Sequence, residues 1–93
     1  MAQMHADPER MRRFAGDLKK FADAVSGEMS NIRGRLGRLG DTWQDQQYEA
    51  FVEIFARAEG VLKGFVEETR RAAPLIERDA DAAEETGRVS LPQ

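Results

Sequence analysis

The 93-residue chain contains no cysteine and a single histidine, His5. The absence of cysteine excludes disulfides, thiolate metal sites and thiol nucleophiles. His5 precedes the first helical pattern and has no neighbours that would complete a metal site or a catalytic constellation. We therefore predict no catalytic residue, no metal and no cofactor, and we do not expect an enzyme.

Long apolar runs are also missing from the chain. None approaches the roughly 18 residues that a membrane span requires, so membrane insertion is not expected. Residues 1–10 contain no apolar stretch of the kind found in secretory signal peptides. The protein is therefore expected either to be secreted by a signal-peptide-independent route or to stay in the cytoplasm.

Charge of one sign does not dominate, since the net charge is −3 and 33% of the residues are charged. Arg33, Arg35 and Arg38 lie among glycines, but no aromatic residues alternate with them. The chain as a whole is acidic, so nucleic-acid binding is not expected. The acidic residues between Glu77 and Glu85 lack the glycine turn and the ligand order of a calcium loop, and we interpret them as a solvated helix face.

Helical periodicity is the strongest pattern that is present. Apolar residues recur with alternating spacings of three and four, from Met11 to Leu39 and again from Tyr48 to Ile76. A period near 3.5 in both halves predicts an all-α fold, an antiparallel two-helix hairpin. The candidate residues of its dimer and core seam are Leu18, Phe21, Val25, Ile32, Tyr48, Phe55, Leu62 and Phe65.

Capping residues, glycine and proline predict the helix boundaries. Asp7-Pro8-Glu9 is a strong helix start, and Thr42 with Asp45 resembles a capping box for the second helix. Proline inside a helix costs roughly 3 kcal/mol, so a break or kink is expected at Pro74. We predict a single domain, residues 1–93, with helix 1 at about 8–39, a turn at about 40–42, helix 2 at about 43–86 and a tail at 87–93.

The apolar residues at spacings of three and four form a stripe along each helix, and a second set of apolar residues lies at the edges, or shoulders, of this stripe. A hairpin has one shared seam, so a stripe this wide indicates helices with two neighbours, as in a four-helix bundle. The chain is therefore expected to form a four-helix bundle on dimerisation, as a homodimer or with a second small helical-hairpin protein. The shoulder residues are Ala15, Ala22, Met29, Leu36, Val52, Ile54, Val61, Val66 and Leu75.

The only tryptophan, Trp43, lies in the short polar break between the two halves. A tryptophan at the turn of a helical hairpin of this length resembles the WXG family, the early-secreted-antigen-like small proteins of type VII secretion systems. The family has W-x-G at the turn and often an aromatic residue eight positions after the tryptophan, which is Phe51 here. Asp45 stands where the family has glycine, and an aspartate at the start of a helix can cap it and suits its dipole.

The resemblance implies a protein that acts through protein–protein interaction, as a secreted substrate or as an adaptor that escorts another substrate, with a secretion ATPase as a further candidate partner. The family often carries a Y-x-x-x-D or Y-x-x-x-E export signal after the second helix, whereas the only tyrosine here, Tyr48, opens that helix. The alternative is a cytoplasmic helical adaptor or chaperone unrelated to secretion. The candidate turn motif is Trp43, Asp45 and Phe51, and the candidate export region contains Pro74, Leu75, Ile76 and Leu91.

Overall fold

The computed structural model describes residues 7–90, with side chains for residues 7–86, so His5 and Leu91 lie outside it. Within this range it has two helices, α1 (Pro8–Leu39) and α2 (Gln46–Ser90), and no strand. The helices are antiparallel, because Arg12 of α1 pairs with Glu84 of α2 and Arg33 pairs with Glu59. The predicted all-α helical hairpin is therefore confirmed.

The first helix begins at a capped proline and ends at a glycine. The Asp7 carboxylate accepts hydrogen bonds from the backbone N–H groups of Glu9, at 3.0 Å, and Arg10, at 3.3 Å. Pro8 lacks an N–H group and so needs no partner at the first helical position. At the other end, Gly40 has a right-handed φ of −64°. A left-handed conformation therefore does not explain the glycine at this position, and the reason is instead its close contact with the Tyr48 side chain.

The second helix begins later than the sequence pattern predicts. It starts at Gln46 rather than near residue 43, because Asp45 caps it. The Asp45 carboxylate accepts a hydrogen bond from the backbone N–H of Tyr48 at 3.0 Å. The hydroxyl of Thr42, the other capping candidate, instead donates to the Leu39 carbonyl at 3.5 Å. The turn therefore includes the whole tryptophan segment, residues 40–45.

The break expected at Pro74 does not occur, because α2 continues through this residue as one helix to Ser90. A proline removes one backbone hydrogen bond. Ala73 and Ala80, both fully buried against α1, hold the helix in place on either side of the proline. The predicted tail, residues 87–93, is accordingly helical as far as the structure describes it.

Small side chains line the hairpin seam, defined here as the buried residues between the two helices. Ala15 and Ala22 of α1 and Ala73 and Ala80 of α2 are all 0% exposed. Alanine lets two helix backbones approach closely, so the bulkier residues of the stripe lie outside the contact. The seam is completed by Met29, Leu36, Val66 and Thr69.

This seam corrects the arrangement that the sequence predicts. Ala15, Ala22, Met29 and Leu36, expected at the shoulders, face α2, whereas Phe21 and other large residues of the predicted seam are half-exposed. Parallel rows of a seven-residue repeat share one period, so periodicity alone does not tell which row faces the partner helix.

The hairpin is a long rod with little interior. Its extents are 75 × 22 × 18 Å and its radius of gyration is 21.1 Å, against about 13 Å for a compact domain of about 100 residues. Its accessible surface is 7343 Å², whereas a compact monomer of this mass exposes about 5,400 Å². A seam made largely of alanine also buries few apolar atoms, so the isolated hairpin gains little hydrophobic stabilisation.

Candidate functional site: the turn and the apolar flank

Trp43 itself is held in the turn by a backbone hydrogen bond and an aromatic contact. The backbone N–H of Trp43 donates to the Leu39 carbonyl at 2.9 Å. The half-buried indole ring meets the ring of Tyr48 edge-on, with centroids 5.4 Å apart and planes at 67°. Such edge-to-face pairs contribute about 0.5–1.5 kcal/mol beyond the area that they bury. Trp43 thus closes the hairpin end while part of its ring stays accessible.

Tyr48 fastens the start of α2 to the end of α1. Its hydroxyl donates a hydrogen bond at 2.8 Å to the Leu36 carbonyl, which also accepts one from the backbone N–H of Gly40 at 3.2 Å. Its ring lies directly against Gly40, where an added Cβ would stand 2.5 Å from the tyrosine oxygen. Gly40 is therefore required by the close approach of this ring.

The two flanks of the hairpin seam carry different chemistry. On one flank, aromatic residues stand one position before a seam residue at Phe14 and Phe21 on α1 and at Phe65 on α2. On the other flank, charged residues such as Lys19 on α1 and Glu77 on α2 stand four positions after a seam residue. In an antiparallel helix pair each of these position types meets its own kind, so one side of the hairpin is apolar and the opposite side is charged.

The charged flank is covered by ion pairs within the hairpin. Lys19 pairs with Glu77 at 2.8 Å, and the Arg12 guanidinium contacts Asp81 at 2.8 Å and Glu84 at 2.5 Å. The hydrogen bonds to Asp81 and then to Glu84 raise the pKa of Arg12 above its already high usual value. The shift leaves Arg12 protonated across the working pH range, so it creates no pH switch.

The apolar flank has no such cover. We define it as the half-exposed large residues on the side opposite the ion pairs, and its centre is an edge-to-face pair of Phe21 and Phe65 with centroids 5.8 Å apart. Isolated exposed apolar residues are ordinary, but a continuous row of them marks an interaction surface. The row consists of Phe14, Phe21, Ile32, Leu39, Phe51, Leu62 and Phe65, each 40–54% exposed. Ile54 and Leu75, 53% and 54% exposed, share a heptad position on the outer face of α2.

An open groove of about 340 Å³ lies beside this aromatic pair. The groove follows from the seven-residue repeat. Glu28 lies seven residues after Phe21, and Ala58 lies seven residues before Phe65, so neither aromatic row has a ring at this level. The missing rings leave a depression between the helices. The groove is lined almost wholly by apolar surface from Phe21, Ala24, Val25, Glu28, Met29, Ile32, Phe55 and Leu62.

The described residues contain no cluster suited to holding a metal ion. No group of three or more metal-ligating side chains occurs among residues 7–86. The acidic run beyond Glu77 instead supplies partners to α1, since Glu77, Asp81 and Glu84 all form ion pairs with it. Neither described helix is long and apolar enough to cross a membrane.

The comparison with protein families is decisive. The family model for WXG100, proteins of 100 residues with WXG, matches residues 3–88. The chain belongs to the WXG100 family. A search of curated proteins found no match.

Solved structures of a secreted protein, EsxB of Bacillus anthracis strain Sterne, share the fold of this WXG100 protein. The selenomethionine-labelled form is 21% identical, with a TM-score of 0.79, and the match covers 94% of this chain and 99% of that chain. The wild-type form in space group P21 is 20% identical, with a TM-score of 0.78 and coverage of 90% and 97%. Identity this low shows a common fold and carries no residue roles.

The structure separates the residues predicted for the dimer and core seam into two groups. Leu18, Val25, Tyr48 and Phe55 are half-buried between the helices. The other predicted residues, Phe21, Ile32, Leu62 and Phe65, are exposed on the apolar flank.

The candidate turn motif divides in the same way. Trp43 and Asp45 lie in the turn. Phe51, the third member, lies in α2 beyond the turn and is 46% exposed on the apolar flank.

The candidate export region is not one continuous exposed segment. Pro74 and Leu75 are exposed, whereas Ile76 is half-buried. Leu91 lies beyond the described residues. The accessible part of this region is therefore the outer face of α2 around Leu75.

Two features of the site were missed at the level of sequence. The contact between Gly40 and the Tyr48 ring needs coordinates, although a glycine eight residues before a lone tyrosine was visible. The groove could have been predicted, since Glu28 and Ala58 interrupt two rows of aromatic residues at matching heptads.

Proposed function

We propose that this WXG100 protein is a non-enzymatic component of a type VII secretion system that works as a homodimeric four-helix bundle. It is either exported itself or escorts another substrate. The observation that carries the proposal is the apolar flank, which the hairpin leaves uncovered along its length. A second hairpin laid on that flank would supply the cover, and each helix would then have two neighbours.

The surface area supports self-association. The hairpin exposes 7343 Å², roughly 1,900 Å² more than a compact monomer of its mass. A stable interface buries about 800 Å² on each partner. The excess is thus large enough for a dimer without any rearrangement of the helices.

Recognition by the export machinery is assigned to the exposed part of the turn. Asp45 caps α2, and Tyr48 fastens it to α1, so the Trp43 ring is presented from a rigid hairpin end. Preorganised aromatic residues lose little conformational entropy on binding and are frequent anchors of interfaces. Leu75, 54% exposed, is a second candidate contact in the export region.

Secretion is supported by family membership and by the description of the structural relative EsxB as a secreted protein. The test compares the secreted fraction of the wild type, Trp43→Ala and Gln47→Ala in the native host. Gln47 is an exposed residue of the first turn of α2 and serves as the matched control. We expect export of the wild type and of Gln47→Ala, and reduced export of Trp43→Ala at unchanged helical content.

The same assay distinguishes the two versions of the proposal. Export that persists after deletion of every other small helical-hairpin gene indicates a substrate in its own right. Export that then stops indicates that this chain travels with a partner. If the wild-type protein stays inside cells that have an intact secretion system, the proposal is wrong and the cytoplasmic adaptor becomes the better interpretation.

A further inference from the structure

The middle of the hairpin is hollow on both flanks. The groove of the apolar flank reaches Met29 from one side, and a pocket of about 120 Å³ on the charged flank reaches the same side chain from the other. We define the waist as residues 26–34 of α1 and 58–66 of α2, which face each other where Arg33 pairs with Glu59. Side chains that line a depression have neighbours on fewer sides and gain less from packing. The seam is therefore weakly supported at this level.

Glycines of both helices lie in the waist. Gly27 and Gly34 belong to α1, and Gly60 and Gly64 to α2. A Cβ at Gly27, Gly60 or Gly64 would meet no heavy atom within 4 Å, and none of these glycines has a positive φ. Packing and backbone conformation therefore do not require glycine at these positions. Glycine loses more conformational entropy than alanine on entering a helix, so these residues lower the stability of the waist.

The segments on either side of the waist are packed more firmly. Toward the free ends of the helices, Ala22 and Ala73 are fully buried in the seam. Toward the turn, the Tyr48 hydroxyl fastens α2 to α1. At the waist itself the buried seam residues are Met29 and Val66, and methionine is a flexible side chain that specifies packing poorly. Seam composition thus agrees with the position of the glycines.

The charged flank also changes at the waist. Lys19 and Glu77 form an ion pair across the seam. Two heptads nearer the turn, the equivalent residues are Arg33 and Lys63, which carry charges of the same sign. Like charges at one level repel each other. Arg33 pairs with Glu59 instead, and Lys63 forms no ion pair within the described residues.

We propose that the waist is the point at which the hairpin opens locally, so that its backbone hydrogen bonds break and re-form while the segments on either side stay closed. Exposed glycines, hollow flanks and like charges coincide there, and each lowers the free energy of a local opening. The inference depends neither on the homodimer nor on secretion. Opening at the waist changes the shape of the groove, so the surface that the apolar flank offers to a partner is adjustable.

Hydrogen–deuterium exchange followed by mass spectrometry tests the position of the opening. Peptides from the waist are compared with peptides covering residues 14–23 and 70–80 of the same chain, after correction for the intrinsic exchange rate of each sequence. We expect the waist to exchange at least about tenfold faster, since local openings expose its amides without global unfolding. Equal protection of the three segments would overturn the proposal.

Replacement of the glycines tests their role. Gly27→Ala should slow exchange of the α1 waist about fivefold, and the double variant Gly60→Ala and Gly64→Ala should slow that of the α2 waist by at least about tenfold. Each new methyl group enters open space, so the fold should be retained, which circular dichroism would verify. Unchanged exchange of the waist in these variants would mean that the glycines do not govern an opening there.

Gly16→Ala is the matched control for Gly27→Ala. Gly16 is also an interior glycine of α1 with no heavy atom within 4 Å of an added Cβ, but it lies outside the waist. A local opening at the waist leaves residue 16 helical, so this change should alter exchange of the waist by no more than about twofold. If Gly16→Ala protected the waist as strongly as Gly27→Ala, the opening would involve the whole hairpin, and the proposal would be wrong.

Discussion

The charged flank and the apolar flank border the same seam but differ in what covers them. On the charged flank, Lys19 and Arg12 reach across to carboxylates of α2 within one hairpin. On the apolar flank, Phe21 and Phe65 touch each other and still expose nearly half of their surface. Exposed charged groups are well solvated by water and gain little free energy from a partner. Half-exposed aromatic rings gain free energy when they are buried further. The flank that can gain from a partner is therefore the apolar one.

The comparison predicts its largest effect for a charge placed on the apolar flank. Phe65→Glu would put an unpaired carboxylate into the proposed interface and remove one ring of the Phe21–Phe65 pair. We expect dimerisation to weaken by at least about thirtyfold, as for a hot-spot residue. Sedimentation equilibrium would measure the dissociation constant.

Lys63→Glu is the control for this experiment, because Lys63 lies two residues away, outside the apolar flank, and its reversal changes the charge more. It should leave the dissociation constant within about fivefold of the wild type. Equal losses in the two variants would mean that the flanks do not differ as described.

The seam between the flanks should tolerate added volume poorly. Ala22 is fully buried where the helices approach closely, so Ala22→Leu should destabilise the fold by about 1–3 kcal/mol through overpacking. The same change at Ala50, which is exposed on the outer surface of α2, should have almost no effect. Urea denaturation followed by circular dichroism would measure both, and an unchanged stability of Ala22→Leu would place the seam elsewhere.

The turn offers a pair of glycines with opposite expectations. Gly40→Ala should cost about 1 kcal/mol, because the new methyl group displaces the Tyr48 ring and breaks its hydrogen bond to Leu36. Gly37→Ala meets no atom within 4 Å and should stabilise the helix by about 0.5–1 kcal/mol. Thermal unfolding would show the two changes, and a stabilising Gly40→Ala would refute the role of the close ring contact.

The smallest effect is expected on the charged flank. Lys19→Ala removes an exposed pair with Glu77 and should cost no more than about 1 kcal/mol, with the difference from the wild type shrinking in high salt. Unfolding measured at low and at high ionic strength would test this. A loss that is large and independent of salt would show that this flank is buried in the assembled protein.

Much of the fold could be predicted from the sequence, because period, caps and the single tryptophan are local signals. The hairpin, the first helix and its Asp7 cap follow from such residues. The period could not predict which apolar residues lie in the hairpin seam and which lie on the apolar flank, because the rows containing Phe21 and Ala22 repeat with the same spacing. Side-chain size decides between them, since only the alanine row permits close helix contact.

Pro74 and Gly40 illustrate what local rules leave out. Proline predicts a break in an isolated helix, but packing of Ala73 and Ala80 against α1 keeps α2 continuous. Glycine at a helix end predicts a left-handed cap, but Gly40 is right-handed and is required by the ring of Tyr48. In both cases a tertiary contact overrides the local preference of the residue.

The central claim is that the apolar flank is an interface between two copies of this chain, and light scattering tests it most directly. The wild-type protein should have a mass of about 21 kDa at micromolar concentration, twice the 10.5 kDa of the chain. Phe65→Glu should shift that mass toward 10.5 kDa, and Lys63→Glu should not. A wild type that remains a folded 10.5 kDa monomer throughout the micromolar range would contradict the account.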